Sequence, residues 1–417
     1  MEHHKGTIWF VNKDAAPIEE YSTHLRTVKQ AQYFQEQGYS VRIICSSQVY
    51  NSDIDHLEDT DSFFKEEVFD DVSFIFMRSI SHRNSTIKRV LSYCKFSLDI
   101  QRLCSHLGKP DIIIHTSRIP FDFPVYIFAK RLKAKYILDI TDLWPMEFEH
   151  FGYLSAKNPI LKFFYRIERY LYSKADHVAI SMEGCYSYIT ERKWDKANGG
   201  PIDINKIHYI NNGIDLDEFD RNSEENIIED DDLTNNSIIK AVYLGSIRKA
   251  NNVCALIDAA KHLTSYSHIK ILIYGDGPER QVLEQRCSEE HIDNVIFKQK
   301  WIKPQYVPYV VKQADINILN YSEGWAPYGG SMNKMFMSFA AGRPIVCNAG
   351  MPYSPIRDNN LGIDCAFSNS QEYADAIYKI CNLSSDEQET IYTKSRNLAQ
   401  EFHIPNLNKK FETLCEL

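Results

Sequence analysis

EGWAPYGGSMNKMFMSFAAGRPIVCNAG, residues 323–350, is the stretch from which the fold can be read. It has three parts. A turn, Tyr328-Gly329-Gly330-Ser331, comes first. An apolar segment from Met332 to Ala341 follows, long enough for about three helical turns, and Gly342 suits its end. Pro344-Ile345-Val346-Cys347 then reads as a short buried strand. A Gly-Gly-Ser turn that opens a helix leaves backbone N–H groups unpaired and sets the positive end of the helix dipole in the turn. Phosphate binds at such ends. Asn333 and Lys334 fall in the first helical turn, where an amide and an ammonium reach the same anion. The same letters also describe a glycine-rich loop entering a packed helix, so the surrounding chain has to decide.

The chain has 417 residues, enough for two or three domains with real cores. It is 44% hydrophobic and 25% charged, as soluble globular proteins are. A net charge of −9 argues against nucleic-acid binding by bulk electrostatics and leaves room for local basic patches. None of the 10 cysteines forms a CxxC pair and several lie in apolar runs, so they read as reduced core residues of a cytosolic protein. No long apolar segment opens the chain, so no signal peptide is expected. No apolar run is long enough to span a membrane. His3 and His4 are adjacent and read as solvated rather than metal-binding.

Working outward, strands and helices alternate. Thr7–Val11 is a strand, Ser22 suits the N-cap of a helix to about Gln37, and Tyr39–Cys45 is the next strand. That βαβ unit implies a parallel sheet. Further strands are expected at Phe74–Met77, Asp111–His115, Tyr136–Ile140 and Val178–Ser181, the last of the first half. Ile87, Val90, Leu91, Cys94 and Leu98 form one helical stripe, and Ile160, Phe163, Phe164, Ile167 and Leu171 another, each accompanied by Lys and Arg. Such stripes are either the buried faces of domain helices or a peripheral-membrane surface. Periodicity lapses over 190–206, the expected boundary between an N-terminal domain (1–200) and a C-terminal one (201–400), with a final helix near 400–417 packing back on the first. The acidic run 223–232 reads as a solvated loop. In the second half, strands at Ile239–Leu244 and Ile269–Tyr274 end in Gly245-Ser246-Ile247-Arg248-Lys249 and Gly275-Asp276-Gly277-Pro278. The pattern is two successive parallel α/β domains. Ligands of open α/β sheets bind at strand C-terminal ends, here expected to face one another across a cleft. Three loops there, two glycine-rich and one with two cations, favour an anionic ligand such as a diphosphate.

With those segments in order, the sequence resembles a family 4 glycosyltransferase of the GT-B fold, in the branch that builds bacterial capsule and O-antigen sugars. Ile210-Asn211-Asn212-Gly213-Ile214-Asp215 resembles the motif opening the family's second domain, Tyr243-Leu244-Gly245-Ser246 its phosphate loop, and Gly275-Asp276-Gly277-Pro278-Glu279 its GDGPE turn. Asn333-Lys334-Met335-Phe336 and Ala340-Ala341-Gly342-Arg343-Pro344 resemble its donor-binding helix, and Asp142-Leu143-Trp144-Pro145 a first-domain motif. Arg26 fits its first helix.

The resemblance implies transfer of a sugar from a nucleotide diphosphate, here UDP, to a glycan or lipid-linked glycan, with retention at the anomeric carbon and neither metal nor other cofactor. It implies a cytoplasmic protein at the inner face of a membrane. By resemblance the donor site would include Gly245, Arg248, Lys249, Gly275, Ile302, Gly330, Ser331, Asn333, Lys334 and Met337, with the backbone at Trp301-Ile302 framing the base. Acceptor-side candidates are Asp142 and His115 as catalytic residues, with Glu147 beside them. The sequence departs from the family twice. Ser246 and Asn251 stand where Arg and Lys are common, and Gly329 and Met337 stand where two glutamates are common. Glu323 is the carboxylate that a folded-back loop could supply. The missing glutamates leave two other readings open: a catalytically silent nucleotide-sugar-binding partner subunit, and a nucleotide-sugar epimerase of the same fold.

Overall fold

A computed structural model describes residues 5–18, 25–49, 52–80, 85–150, 152–322 and 326–416. Ser22, Arg83 and Glu323, together with His3 and His4, lie outside them. The chain forms two compact units, one of Met1–Asn211 with Leu407–Leu417, the other of Asn212–Asn406.

In the first unit the strands are β1 (Thr7–Val11), β2 (Ser40–Ser46), β3 (Phe64–Phe69), β4 (Val72–Met77), β5 (Ile112–Thr116), β6 (Lys135–Ile140), β7 (His177–Ile180) and β8 (Ile207–Tyr209). Its helices are α1 (Leu25–Glu36), α2 (Thr86–Asp99), α3 (Cys104–Leu107), α4 (Phe123–Leu132), α5 (Trp144–His150), α6 (Pro159–Lys174) and α7 (Cys185–Glu191). The sheet order is β3-β4-β2-β1-β5-β6-β7-β8. All pairings are parallel except β3 with β4, an antiparallel edge hairpin whose β3 exposes Lys65 and Glu66. Central strands such as β1 and β5 are continuous apolar runs because helices cover both faces of the sheet.

Strand order fixes which helix lies on which face. The step β1→β2 runs one way along the sheet, and the steps β4→β5, β5→β6 and β6→β7 run the other. Right-handed crossovers therefore place α1 on one face and α2, α4 and α6 on the opposite one. On the α1 side, Val28, Ala31 and Phe34 pack with Leu407, Phe411, Leu414 and Cys415 from the end of the chain.

The second unit has β9 (Ile239–Leu244), β10 (Ile269–Tyr274), β11 (Val295–Phe297), β12 (Ile316–Leu319), β13 (Ile345–Cys347) and β14 (Gly362–Asp364), all parallel in the order β11-β10-β9-β12-β13-β14. Its helices are α8 (Leu216–Glu225), α9 (Asp231–Thr234), α10 (Val253–His262), α11 (Arg280–Glu289), α12 (Val307–Gln313), α13 (Asn333–Ala341), α14 (Pro355–Asp358), α15 (Ser370–Cys381) and α16 (Ser385–Glu401). The last helix, α17 (Ile404–Cys415), runs from the second unit into the first.

Three sequence expectations are corrected. β8 pairs with β7, so Ile207–Tyr209 completes the first sheet and the chain crosses between units at Asn211–Asn212, later than the lapse in periodicity suggests. The acidic run is not a solvated loop: Asp230 caps α9, accepts a hydrogen bond from the Tyr274 hydroxyl at 2.7 Å and pairs with Lys298 at 2.7 Å. The aliphatic stripe of α2 is exposed, and Ser92, Tyr93, Phe96 and Ser97 are buried instead.

Candidate functional site

In the second unit the strand order reverses between β9 and β12. At such a switch point the loops after the two strands part and leave a crevice. The loop after β9 begins at Gly245, and the chain after β12 leads to α13.

Close backbone approach makes the glycines necessary. The Gly245 N–H donates to the Tyr274 carbonyl at 2.9 Å, and the Ile247 N–H to the Asp276 carbonyl at 2.7 Å. A Cβ on Gly275 would overlap the Gly245 carbonyl, and one on Gly277 the Ile247 carbonyl. The φ of Gly275 is also +131°. The loops after β9 and β10 are thus laced side by side, and Arg280 fastens the second from below through the Gly275 and Lys298 carbonyls. The Gly275 N–H donates to the Gln299 carbonyl, which brings Trp301-Ile302 alongside. Ile302 packs on the neighbouring apolar cluster and Trp301 is exposed.

Lys334 completes the site. Its side chain lies across Gly245, where a Cβ would overlap the ammonium, and Nζ sits 4.8 Å from the centre of the Tyr243 ring. Among the described residues no carboxylate pairs with it. Burial, with a smaller push from the Arg248 charge, lowers its pKa to about 8. Arg248 and Lys249 are exposed on the same loop, and so is Asn333 at the start of α13. The N-cap of α13, Met332, makes no side-chain hydrogen bond to the helix, so the end keeps its positive character. Ser331 is committed otherwise: its hydroxyl accepts the Asn212 N–H at 3.3 Å, beside the buried Gly330.

The first departure from the family pattern has a structural answer. Asn251 donates its side-chain amide to the Ser246 hydroxyl at 2.8 Å and to the Ser246 carbonyl at 2.5 Å, so these two positions brace the loop instead of charging it. The backbone of Asn251 is held in turn by Asn320, itself bonded to the Tyr373 hydroxyl at 2.6 Å. Sequence reading missed Asn320 and Tyr373. A polar residue directly after β12 was the available signal. Met337 lines a cavity of about 20 Å³ with Val242, Leu244, Ile318, Leu319 and Lys334. No carboxylate lines it.

The first unit has its own switch point, between β1 and β5. Lys13 and Asp14 follow β1, and Arg118 follows β5. Asp14 accepts from the Tyr93 hydroxyl at 2.6 Å and lies 3.8 Å from Arg118, which is 3.7 Å from Asp142. Burial holds the Lys13 ammonium below its usual range. Burial and the Asp142 charge push the Glu147 carboxyl up to about 7. Asp142 and Glu147 are therefore brought together. His115, the other catalytic candidate, makes its contacts with Tyr136 and Asp122. Its ring is buried, with Nδ1 2.8 Å from the Tyr136 hydroxyl and Nε2 3.7 Å from Asp122. Arg26 is spent on a two-point ion pair with buried Asp139, at 2.8 and 3.0 Å, and on the Asn211 carbonyl.

Comparison with known proteins supports the fold described above. Residues 239–382 match the family model of glycosyl transferases group 1. No curated protein matches the chain in sequence. Among solved structures the fold is similar to sucrose-phosphate synthase from Thermosynechococcus elongatus, with 14% identity over 98% of each chain and a TM-score of 0.69. It is similar to Anabaena Alr3699/HepE in complex with UDP, with 14% identity over 99% of this chain and 100% of that one, TM-score 0.69. It is also similar to the trehalose-6-phosphate protein from E. coli bound with UDP-2-fluoro glucose, with 10% identity over 99% of each chain, TM-score 0.69. These likenesses show the GT-B fold. The group 1 domain makes the chain an enzyme of the glycosyltransferase class.

Proposed function

We propose that the enzyme transfers a sugar from a UDP-sugar to a glycan or lipid-linked glycan, with retention, in the building of capsule or O-antigen polysaccharide at the inner face of a membrane. One observation carries the donor half: the Lys334 ammonium, packed on Gly245 beside Arg248 at the open end of α13, has no carboxylate among the described residues to neutralise it. A diphosphate leaving group gathers negative charge as the glycosidic bond breaks, and fixed cations and helix dipoles stabilise that charge most where water is excluded. In this reading Lys334, Arg248, Lys249 and the α13 N–H groups take the charge, so no metal is invoked. The loop at Trp301-Ile302 borders the base, and Met337 occupies the ribose-facing position. On the acceptor side, the Asp142–Glu147 pair receives the proton of the attacking hydroxyl. A Glu147 carboxyl that burial pushes up to about 7 suits that role. His115, hydrogen-bonded to Tyr136 and close to Asp122, is the second acceptor-side candidate.

The carboxylate-free cavity at Met337 favours a second reading, a partner subunit that binds the nucleotide sugar without turning it over. One experiment separates the two. The purified protein is titrated with UDP by calorimetry, then incubated with a panel of UDP-sugars and lipid-linked acceptors. Acceptor-dependent release of UDP, lost in Lys334→Met, is the expected result. UDP binding without transfer to any acceptor would assign the silent role, and no UDP binding would sink both.

A further inference from the structure

Helix α2 turns its oily side to solvent. Ile87, Val90, Leu91 and Leu98 are 74%, 43%, 50% and 56% exposed. Nor is α2 alone. Nine of the 17 exposed large hydrophobic side chains among the described residues lie on α2, α4, α6 or at Tyr153 in the turn before α6. Phe123 on α4 and Ile160, Phe163 and Tyr170 on α6 are the others in that group. These three helices share one face of the first sheet. α2 packs on α4 and α4 on α6, with the Phe123 ring 5.9 Å from that of Tyr170.

Charge follows the same helices. α2, α4 and α6 hold nine Lys and Arg against two carboxylates, in a chain of net −9. Both carboxylates are engaged: Asp99 by Lys95 and Arg102, and buried Glu168 by the Tyr188 hydroxyl. Lys88, Lys130, Arg131, Lys162, Arg166 and Lys174 are exposed. A soluble domain rarely exposes so much contiguous apolar surface without a partner for it.

We propose that the α2–α4–α6 face of the first unit docks on the surface of a bilayer that contains anionic phospholipid. The aliphatic and aromatic side chains enter the headgroup region, and the Lys and Arg meet lipid phosphates. A second copy of this chain fits the face poorly, because a two-fold contact would set the same cations against one another. Exposed aliphatics serve no purpose on nucleic acid. No helix among the described residues is long and apolar enough to cross the membrane, so the contact is with its surface. The proposal gives the membrane contact of the reading above a location, and it stands or falls without the transfer reaction.

The test is flotation of the full chain with vesicles of phosphatidylcholine alone and of phosphatidylcholine with phosphatidylglycerol. Binding to the anionic vesicles only, weakened in 1 M salt, where the screening length is about 3 Å, is the expected result. Lys162→Ala and Arg166→Ala should each lower the partition about fivefold, the equivalent of about 1 kcal/mol. Leu91→Glu with Leu98→Glu should abolish binding while leaving UDP affinity and the circular dichroism spectrum unchanged. Val282→Glu, at an exposed apolar position of the second unit, should change nothing. Failure to bind anionic vesicles overturns the proposal, as does equal loss in Val282→Glu. Self-association that the Leu91/Leu98 variant removes, without vesicle binding, would give the face to a second copy. Capture of an acidic protein without vesicle binding would give it to that protein.

Discussion

Lys334 makes the folded protein pay for its ligand in advance. Its pKa falls to about 8 from 10.5 because burial strips water from the ammonium and Arg248 adds a like charge. A shift of that size is on the order of 3 kcal/mol, an upper bound for a side chain still in partial contact with water. The folded pKa is depressed, so the penalty is full below the folded value, and stability rises with pH from about 8 to 10.5 as the folded state gives up its proton first. Lys334→Met is therefore expected to be more stable than the parent by about 1–3 kcal/mol in urea at pH 7, while UDP binding is lost. A bound diphosphate reverses the preference and holds the lysine charged. UDP affinity of the parent should then fall as pH rises above 8, and Lys334→Arg should stay flat across that window. Calorimetry at both ends of the range reads the difference, and an unchanged parent affinity would remove Lys334 from the phosphate site. The lysine was legible in the sequence because it opens a helix behind two glycines. That it rests on Gly245 was not, since the contact joins residues 89 apart.

Loops and helices show where local pattern stops informing. Each strand of the second sheet except β14 could be marked from its apolar run, because a parallel sheet covered on both faces needs such runs. The β3 hairpin could not, since its strand reads FKEEVF, an edge with one wet face. The α2 stripe was legible as a period but not as an orientation. Periodicity names a face and leaves open what covers it. The loop after β9 is the instructive case. Neutral Ser246 and Asn251 look like losses beside a charged family pattern, yet they bond to each other and shape the turn that carries Arg248 and Lys249. Asn251→Ala removes both amide hydrogen bonds at a buried position and should destabilise the second unit by about 1–3 kcal/mol. It should also weaken UDP binding about tenfold, a factor that corresponds to 1.4 kcal/mol, because Arg248 is no longer held. Urea unfolding and calorimetry check the two effects separately. A stability loss with unchanged UDP affinity would mean that the brace serves the fold alone.

The two units were legible at the scale of the whole molecule because strand–helix alternation runs through both halves. The crossing point was not, because β8 follows an irregular stretch and is only three residues long. The end of the chain shows what a linear division misses. α17 follows the second unit in sequence but fills the core of the first, where Leu407, Phe411, Leu414 and Cys415 are at most 6% exposed and the Phe411 ring lies 6.4 Å from Phe34. Burying side chains of this kind contributes about 1.5–3 kcal/mol each. Four together approach the whole stability of a typical domain, about 5–15 kcal/mol. A chain ended at Asn406 should therefore keep the second unit folded and lose the first. In thermal unfolding the transition of the first unit should disappear or move well below that of the second. Limited proteolysis should digest residues before Asn211 and spare 212–406. UDP affinity, assigned here to the second unit alone, should survive within about threefold, under 1 kcal/mol. A truncated chain whose first unit resists protease as the full chain does would show that α17 packs there without stabilising it. Loss of UDP binding from a protease-resistant second unit would move part of the donor site out of that unit.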